Sequence, residues 1–297
     1  MIEGIVLVNK PSGLTSNAVL QRVKRLYGAK KAGHTGSLDP LATGMLPICL
    51  GEATKISQYV LDADKCYTVT ALLGVTTDTG DALGQILTHA SAENCTLDDL
   101  LAILPQFRGV IQQIPPMYSA LKRQGRPLYH YARQGIVLER EAREVSIYEM
   151  TLQSFQDDKF SLLVRCSKGT YIRSLIESIG ESLGVGAHVT ALHRCYTAGF
   201  EQEEMYTLEQ LEQATMTQRL QFLLPVARGV AQFPVVYLTD LMVESLQQGK
   251  TIENFSLEIQ GLVVLHQEND TFFGMGEISS EGRLAAKRLI SNVSSQL

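Results

Sequence analysis

Residues 33–44 run Gly33-His34-Thr35-Gly36-Ser37-Leu38-Asp39-Pro40-Leu41-Ala42-Thr43-Gly44. Three glycines and a proline in so short a stretch leave no period for a helix or a strand, so a shaped loop is expected with Asp39 at its centre. Alone, Asp39 before Pro40 says little, because aspartate before proline starts turns and its carboxylate commonly bonds nearby amides. A working carboxylate needs more: it must be rigid, shielded from bulk water, and beside a cation that keeps it ionised. Glycines let the backbone approach a ligand closely, and His34 and Thr35 add polar reach.

Upstream of the loop, Ile5 to Val8 reads as a strand, ended by the turn signal Lys10-Pro11-Ser12-Gly13. Lys10 is either a solvated lysine or a phosphate contact. Ser16 is the expected N-cap of a helix carrying Val19, Val23 and Leu26, stopped by Gly28. Downstream, Tyr67 to Leu73 alternates like a strand, where Tyr67 is either core or a platform for a flipped base. Thr96 with Asp99 makes a capping box. Residues 115–143 mix prolines, basic residues and three tyrosines without a period, and are expected to be an exposed insertion. Phe160 to Cys166 is a further strand.

After Lys168-Gly169-Thr170 a helix is expected, with Ile172, Leu175, Ile176, Ile179 and Leu183 on one face and Gly184 at its stop. Arg173 lies in its first turn. It either pairs with Glu177 one turn on, worth under about 0.5 kcal/mol, or enters a cleft and forks onto Asp39. Thr207 with Gln210 starts another helix, and Leu241 to Gln248 forms one ended by Gly249. Gly261–His266, Thr271–Ile278 and Arg283–Ile290 read as three short strands. Strands and helices mix without regular βαβ alternation. The expected fold is α+β on a mixed or antiparallel sheet, divided into residues 1–229 and a small β-rich module at 230–297.

The net charge of -5 does not suggest an RNA partner, but its distribution does. Residues 1–60 hold seven Lys/Arg against three Asp/Glu, and residues 108–143 seven against two. Residues 200–260 hold three against nine. A phosphate-binding face needs only local positive charge. Five scattered cysteines without a C-x-x-C pair argue against a disulfide framework and a zinc site. The apolar run at Ile5 to Val8 is too short for a signal peptide or membrane span, so a cytoplasmic protein is expected. Other signatures fail: Gly249-Lys250-Thr251 has Glu244 where a P-loop needs glycine, and His188 and His193 lack a carboxylate partner. No metal or cofactor is expected.

Six segments together resemble the TruB family of tRNA pseudouridine synthases over nearly the whole chain. They are the Lys10 turn, the Asp39 loop, Asp64–Val69 around Tyr67, Thr77–Asp81, Pro115–Lys122 and Ser167–Leu175. The resemblance implies isomerisation of a T-loop uridine of tRNA, position 55; the basic insertion at 115–143 favours a stand-alone enzyme that needs no guide RNA, and a monomer is expected. It implies Asp39 as the catalytic carboxylate, Arg173 as its ion-pair partner, and Tyr67 stacked on the target uracil. Tyr171 and Leu192 would line the pocket, and His34 would fill space near the displaced nucleotides. The insertion at 115–143 would grip the T arm, and the C-terminal module would be PUA-like. A guide-RNA-dependent synthase, a non-catalytic RNA-binding protein and a small-molecule enzyme with a glycine-rich carboxylate loop are the rivals.

Overall fold

A computed structural model describes residues 2–290. The chain opens with β1 (Gly4–Lys10), α1 (Ser16–Leu26), β2 (Ala32–His34) and β3 (Thr43–Leu50), then α2 (Ser57–Leu61), β4 (Lys65–Leu73), β5 (Val75–Thr77) and β6 (Ile86–His89). Next come α3 (Leu97–Ile103), β7 (Gly109–Gln113), β8 (Lys122–Arg123), β9 (Arg126–Pro127) and α4 (Leu128–Ala132). The long hairpin β10 (Arg143–Gln156) and β11 (Lys159–Cys166) leads into α5 (Ile172–Ser182) and β12 (Ala187–Thr197). β13 (Tyr206–Thr207), α6 (Leu208–Gln213) and α7 (Met216–Gln221) follow, then β14 (Val235–Leu238), α8 (Asp240–Gln247), β15 (Gly261–Gln267), β16 (Phe272–Ile278) and β17 (Leu284–Leu289).

One mixed sheet carries the body, in the order β13-β1-β3-β12-β4-β11-β10-β7, with β2 also paired to β3. β1–β13 and β3–β12 are parallel, and the other pairs are antiparallel. The apolar stripe of α5, Leu175, Ile176 and Ile179, packs on Val69, Ala71, Leu162 and Val189. Val19 and Val23 of α1 pack on Val6, Val8, Leu46 and Ile48. The second sheet, β14-β15-β16-β17, seats Val264 and Met275 against Ile5, Met45 and Ile56.

Of the strands that escape the sequence reading, β3, β12 and β10 are the longest. β3 is almost wholly buried and apolar, so it has no alternation, and Pro47 lies inside it. β12 has bulges after Val189 and after Arg194, which break its period. β10 is bulged twice and largely exposed. The N-cap of α1 is Thr15, whose side chain accepts from the amide of Ala18; Ser16, expected there, is the first helical residue. Its hydroxyl instead takes the amide of Leu38 at 2.8 Å and gives to the carbonyl of Leu38 at 3.1 Å.

β3 and β12 approach very closely where they run parallel. Gly44 has φ 98°, and a Cβ there would lie 2.3 Å from the carbonyl oxygen of Arg194. Left-handed backbone and steric overlap both penalise a side chain, so Gly44→Ala is expected to destabilise the protein by on the order of 3 kcal/mol. Chemical denaturation of the variant checks this.

Candidate active site

The two ends of the Asp39 loop are strand, β2 and the start of β3, while residues 35–42 are irregular. The fold holds this stretch from several sides. Thr35 donates its amide to the carbonyl of Pro47 at 3.1 Å, and the amide of Gly13 reaches the carbonyl of Pro40 at 2.8 Å. Ser16 clamps Leu38 as described. Lys10 is fully buried, and its Nζ donates to the carbonyls of Pro11, Leu14 and Pro40 at 2.8, 2.6 and 3.4 Å. Neither surface reading of Lys10 therefore holds: its three donors are spent on backbone, and the side chain braces the loop. Burial lowers its pKa to about 8, against the pull of Asp39, which raises it. Lys10→Met should cut turnover about tenfold while the salt dependence of RNA affinity keeps its slope, because no phosphate contact is lost. A lower slope in a filter-binding titration would return Lys10 to the RNA-facing surface.

Arg173, in the first turn of α5, forks onto Asp39. Nε lies 2.8 Å from Oδ2, and Nη2 lies 3.1 Å from Oδ1. The guanidinium also donates to the carbonyls of Thr79 at 2.5 Å and Tyr118 at 2.7 Å, with Oδ2 of Asp81 4.0 Å from Nε. Asp81 is itself fixed by the hydroxyl of Thr79 and the amide of Leu83. The arginine side chain is 4% exposed and the aspartate side chain 36%. A reachable carboxylate thus stands on an immobile, buried cation, the geometry in which Arg outperforms Lys. Burial raises the Asp39 pKa and the neighbouring Asp81 adds to the rise, while Arg173 and Lys10 oppose it. Burial likewise pushes Glu177 up to about 7.

Tyr171 caps the start of α5 without a capping side chain of its own. Gln113 of β7 takes that role instead, accepting from the amide of Tyr171 at 2.7 Å and donating to its carbonyl at 3.0 Å. Tyr67 in β4 is buried and shares a core cluster with Leu38, Ala42 and Leu192. Burial raises the pKa of its hydroxyl, opposed by the nearby Arg194 charge. The charge of Asp39 acts on both Tyr67 and Tyr171, so both stand near it. His34 is half-buried, and burial and Arg194 lower its pKa, which favours the neutral ring.

Arg194, missed from sequence, lies beneath the site at 1% exposure. It donates to the carbonyls of Met45 at 2.6 Å and Gly36 at 3.0 Å, tying β12 to the loop. Asp81 and Gln113 were also missed. The first sits in the quoted Thr77–Asp81 run and Arg194 two places beyond Leu192, but nothing in the sequence distinguishes Gln113. Among the described residues, no group of three or more His, Cys, Asp or Glu side chains could hold a metal ion. No described helix is long and apolar enough to cross a membrane.

The family model for the N-terminal domain of TruB family pseudouridylate synthases matches residues 24–172. The chain belongs to the TruB family. Two further models, for the tRNA pseudouridylate synthase B C-terminal domain and the C-terminal part of pseudouridine synthase II TruB, match residues 173–231 and 234–290. The chain is 50% identical over 291 residues to a tRNA pseudouridine synthase B of Legionella pneumophila strain Philadelphia 1, covering 98% of this chain and 96% of that relative. It is 52% identical over 301 residues to one from Aeromonas salmonicida, covering 97% and 94%. Among solved structures it resembles a chain of an H/ACA RNP bound to a substrate RNA containing 2′-deoxyuridine, with TM-score 0.75 and 22% identity over 98% of this chain and 86% of that one. An archaeal box H/ACA sRNP Nop10–Cbf5 complex gives TM-score 0.73 at 24% identity, over 99% and 88%. At these identities the TruB likeness to the two complexes is one of fold.

Proposed function

We propose that this TruB family enzyme converts uridine 55 in the T loop of tRNA to pseudouridine, acting alone as a monomer with Asp39 as the catalytic carboxylate. The observation that carries the reading is the forked Arg173–Asp39 pair, a reachable carboxylate on a buried cation. Relatives at about 50% identity carry the name tRNA pseudouridine synthase B, which supports tRNA as the substrate. The uridine leaves its stack at a cost of a few kcal/mol, offset by stacking on Tyr67 and by phosphate contacts. Asp39 acts on the nucleotide, the glycosidic carbon–nitrogen bond breaks, and the uracil turns between Tyr67, Leu192 and Tyr171. It rejoins the sugar through carbon 5, and the proton on that carbon leaves. His34 fills space beside the displaced nucleotides.

Residues 115–143 grip the T arm. Lys122, Arg123, Arg126 and Arg133 line this stretch, and the Arg133 guanidinium lies 5.4 Å from the centre of the Tyr129 ring. We place the boundary between the catalytic part and a PUA-like module at residues 229 and 230; its last residues, 291–297, lie outside the described residues.

The test uses a naked tRNA transcript with tritium on carbon 5 of its uridines. Stoichiometric release that disappears when the T-loop uridine is replaced is the expected result. The H/ACA complexes of like fold motivate a guide-dependent alternative. No release from naked transcript, with release restored by a guide RNA assembly, would establish that alternative.

A further inference from the structure

Cys66 in β4 and Cys195 in β12 lie on hydrogen-bonded antiparallel strands. Tyr67 pairs with Arg194 and Cys66 with Tyr196, so Cys195 is the extra residue of a bulge. Its Sγ lies 3.4 Å from Oγ1 of Thr68, which follows Cys66 by two and shares its face of the strand. Cys66 and Cys195 therefore lie on the same face of adjacent strands, both next to Thr68. Cys66 is 3% exposed, whereas Cys195 is only half-buried. A more accessible thiol beside a buried one is an arrangement suited to attack followed by resolution. The mechanism proposed above uses neither.

We propose that Cys66 and Cys195 form a peroxide-sensitive modification site, closing to a cross-strand disulfide that a dithiol reopens. Cys195 is the attacking sulfur. The neighbouring Cys66, the Thr68 hydroxyl and His193 hold its thiol below the usual range, while burial opposes them. Its thiolate attacks one peroxide oxygen, forming a sulfur–oxygen bond as the oxygen–oxygen bond breaks; the departing hydroxide takes a proton and leaves as water. The sulfur of Cys66 then displaces hydroxide from the sulfenic acid, and the Cys66 proton leaves with it as a second water. Two thiols are oxidised and one peroxide is reduced to two waters. Cys166, on β11 opposite Lys65, is buried and pushed up to about 12, and stays a thiol.

The bond joins residues next to Tyr67 and next to Arg194, its partner in the strand register. Closing it therefore slows uridine turnover, a consequence that rests on the role proposed for Tyr67. The experiment treats the reduced, full-length protein with hydrogen peroxide and maps peptides by mass without reduction. A peptide pair joining Cys66 to Cys195, absent from Cys195→Ser and lost on adding dithiothreitol, is expected. Oxidation of Cys195 to sulfinic acid with no linked pair, or a link that uses Cys166, would overturn the site. On the linked protein, tritium release should fall at least threefold and return with dithiothreitol, with Cys195→Ser insensitive to peroxide. Unchanged turnover of linked protein would overturn the coupling to Tyr67. Because the link is read by mass, inactivity of the reduced protein would instead count against the proposed uridine chemistry.

Discussion

Exchanging Asp39 for alanine should lower tritium release from tRNA by about 10⁴-fold or more, with binding and folding retained. The loop keeps its shape without the carboxylate, because Lys10, Ser16, Thr35 and Arg194 hold its backbone independently. Asp39→Asn is the stricter variant, since it preserves size and most hydrogen bonds; appreciable turnover by it would remove Asp39 from the chemistry. The pH profile offers a second reading. On the proposed mechanism ionised Asp39 is the active form, and burial raises its pKa above that of an ordinary aspartate. Activity is therefore full above the raised pKa and is lost as pH falls through it. The acid limb of kcat/KM should lie at higher pH than an unperturbed aspartate would give, in single-turnover measurements across pH.

Arg173→Met should cost about 10³-fold in turnover and also weaken the fold. Removing one partner of a buried pair costs about 3–5 kcal/mol; with Asp39 partly solvated, the lower end applies. The carbonyls of Thr79 and Tyr118 lose their donor in the same step. With the cation gone, the Asp39 pKa rises further, so the acid limb moves to still higher pH. Arg173→Lys restores charge but not the fork, and an ammonium cannot serve both carboxylate oxygens and two carbonyls in one plane. It should recover only part of the loss. A methionine variant with normal rate and an unmoved acid limb would show that the pair is merely structural.

The reach of sequence reasoning follows from what each residue answers to. Helices announced themselves through local chemistry: Thr96 and Asp99, or Thr207 and Gln210, form capping boxes within a few residues of each other. The apolar stripe of α5 and the alternation of β4 answer to one buried face each, so both were legible. β3 is covered on both faces and keeps no alternation, and β12 loses its period at two bulges. At the site, Asp39, Arg173 and Tyr67 were singled out by motif. The roles of Lys10, Gln113 and Arg194 were not, because each acts on backbone atoms brought near only by folding. A lysine that ends on three carbonyls looks, in sequence, like any surface lysine.

The Arg194 clamp also bears on when the site comes into being during synthesis. Asp39 leaves the ribosome early, yet its counter-charge arrives at Arg173 and the support of its loop at Arg194. A nascent chain that ends at β11 carries the carboxylate with neither. Because domains fold as units while translation proceeds, a chain stalled before β12 has no organised centre with which to hold an RNA substrate. Competence for the reaction therefore appears only when β12, the strand that joins the two halves of the central sheet, is in place.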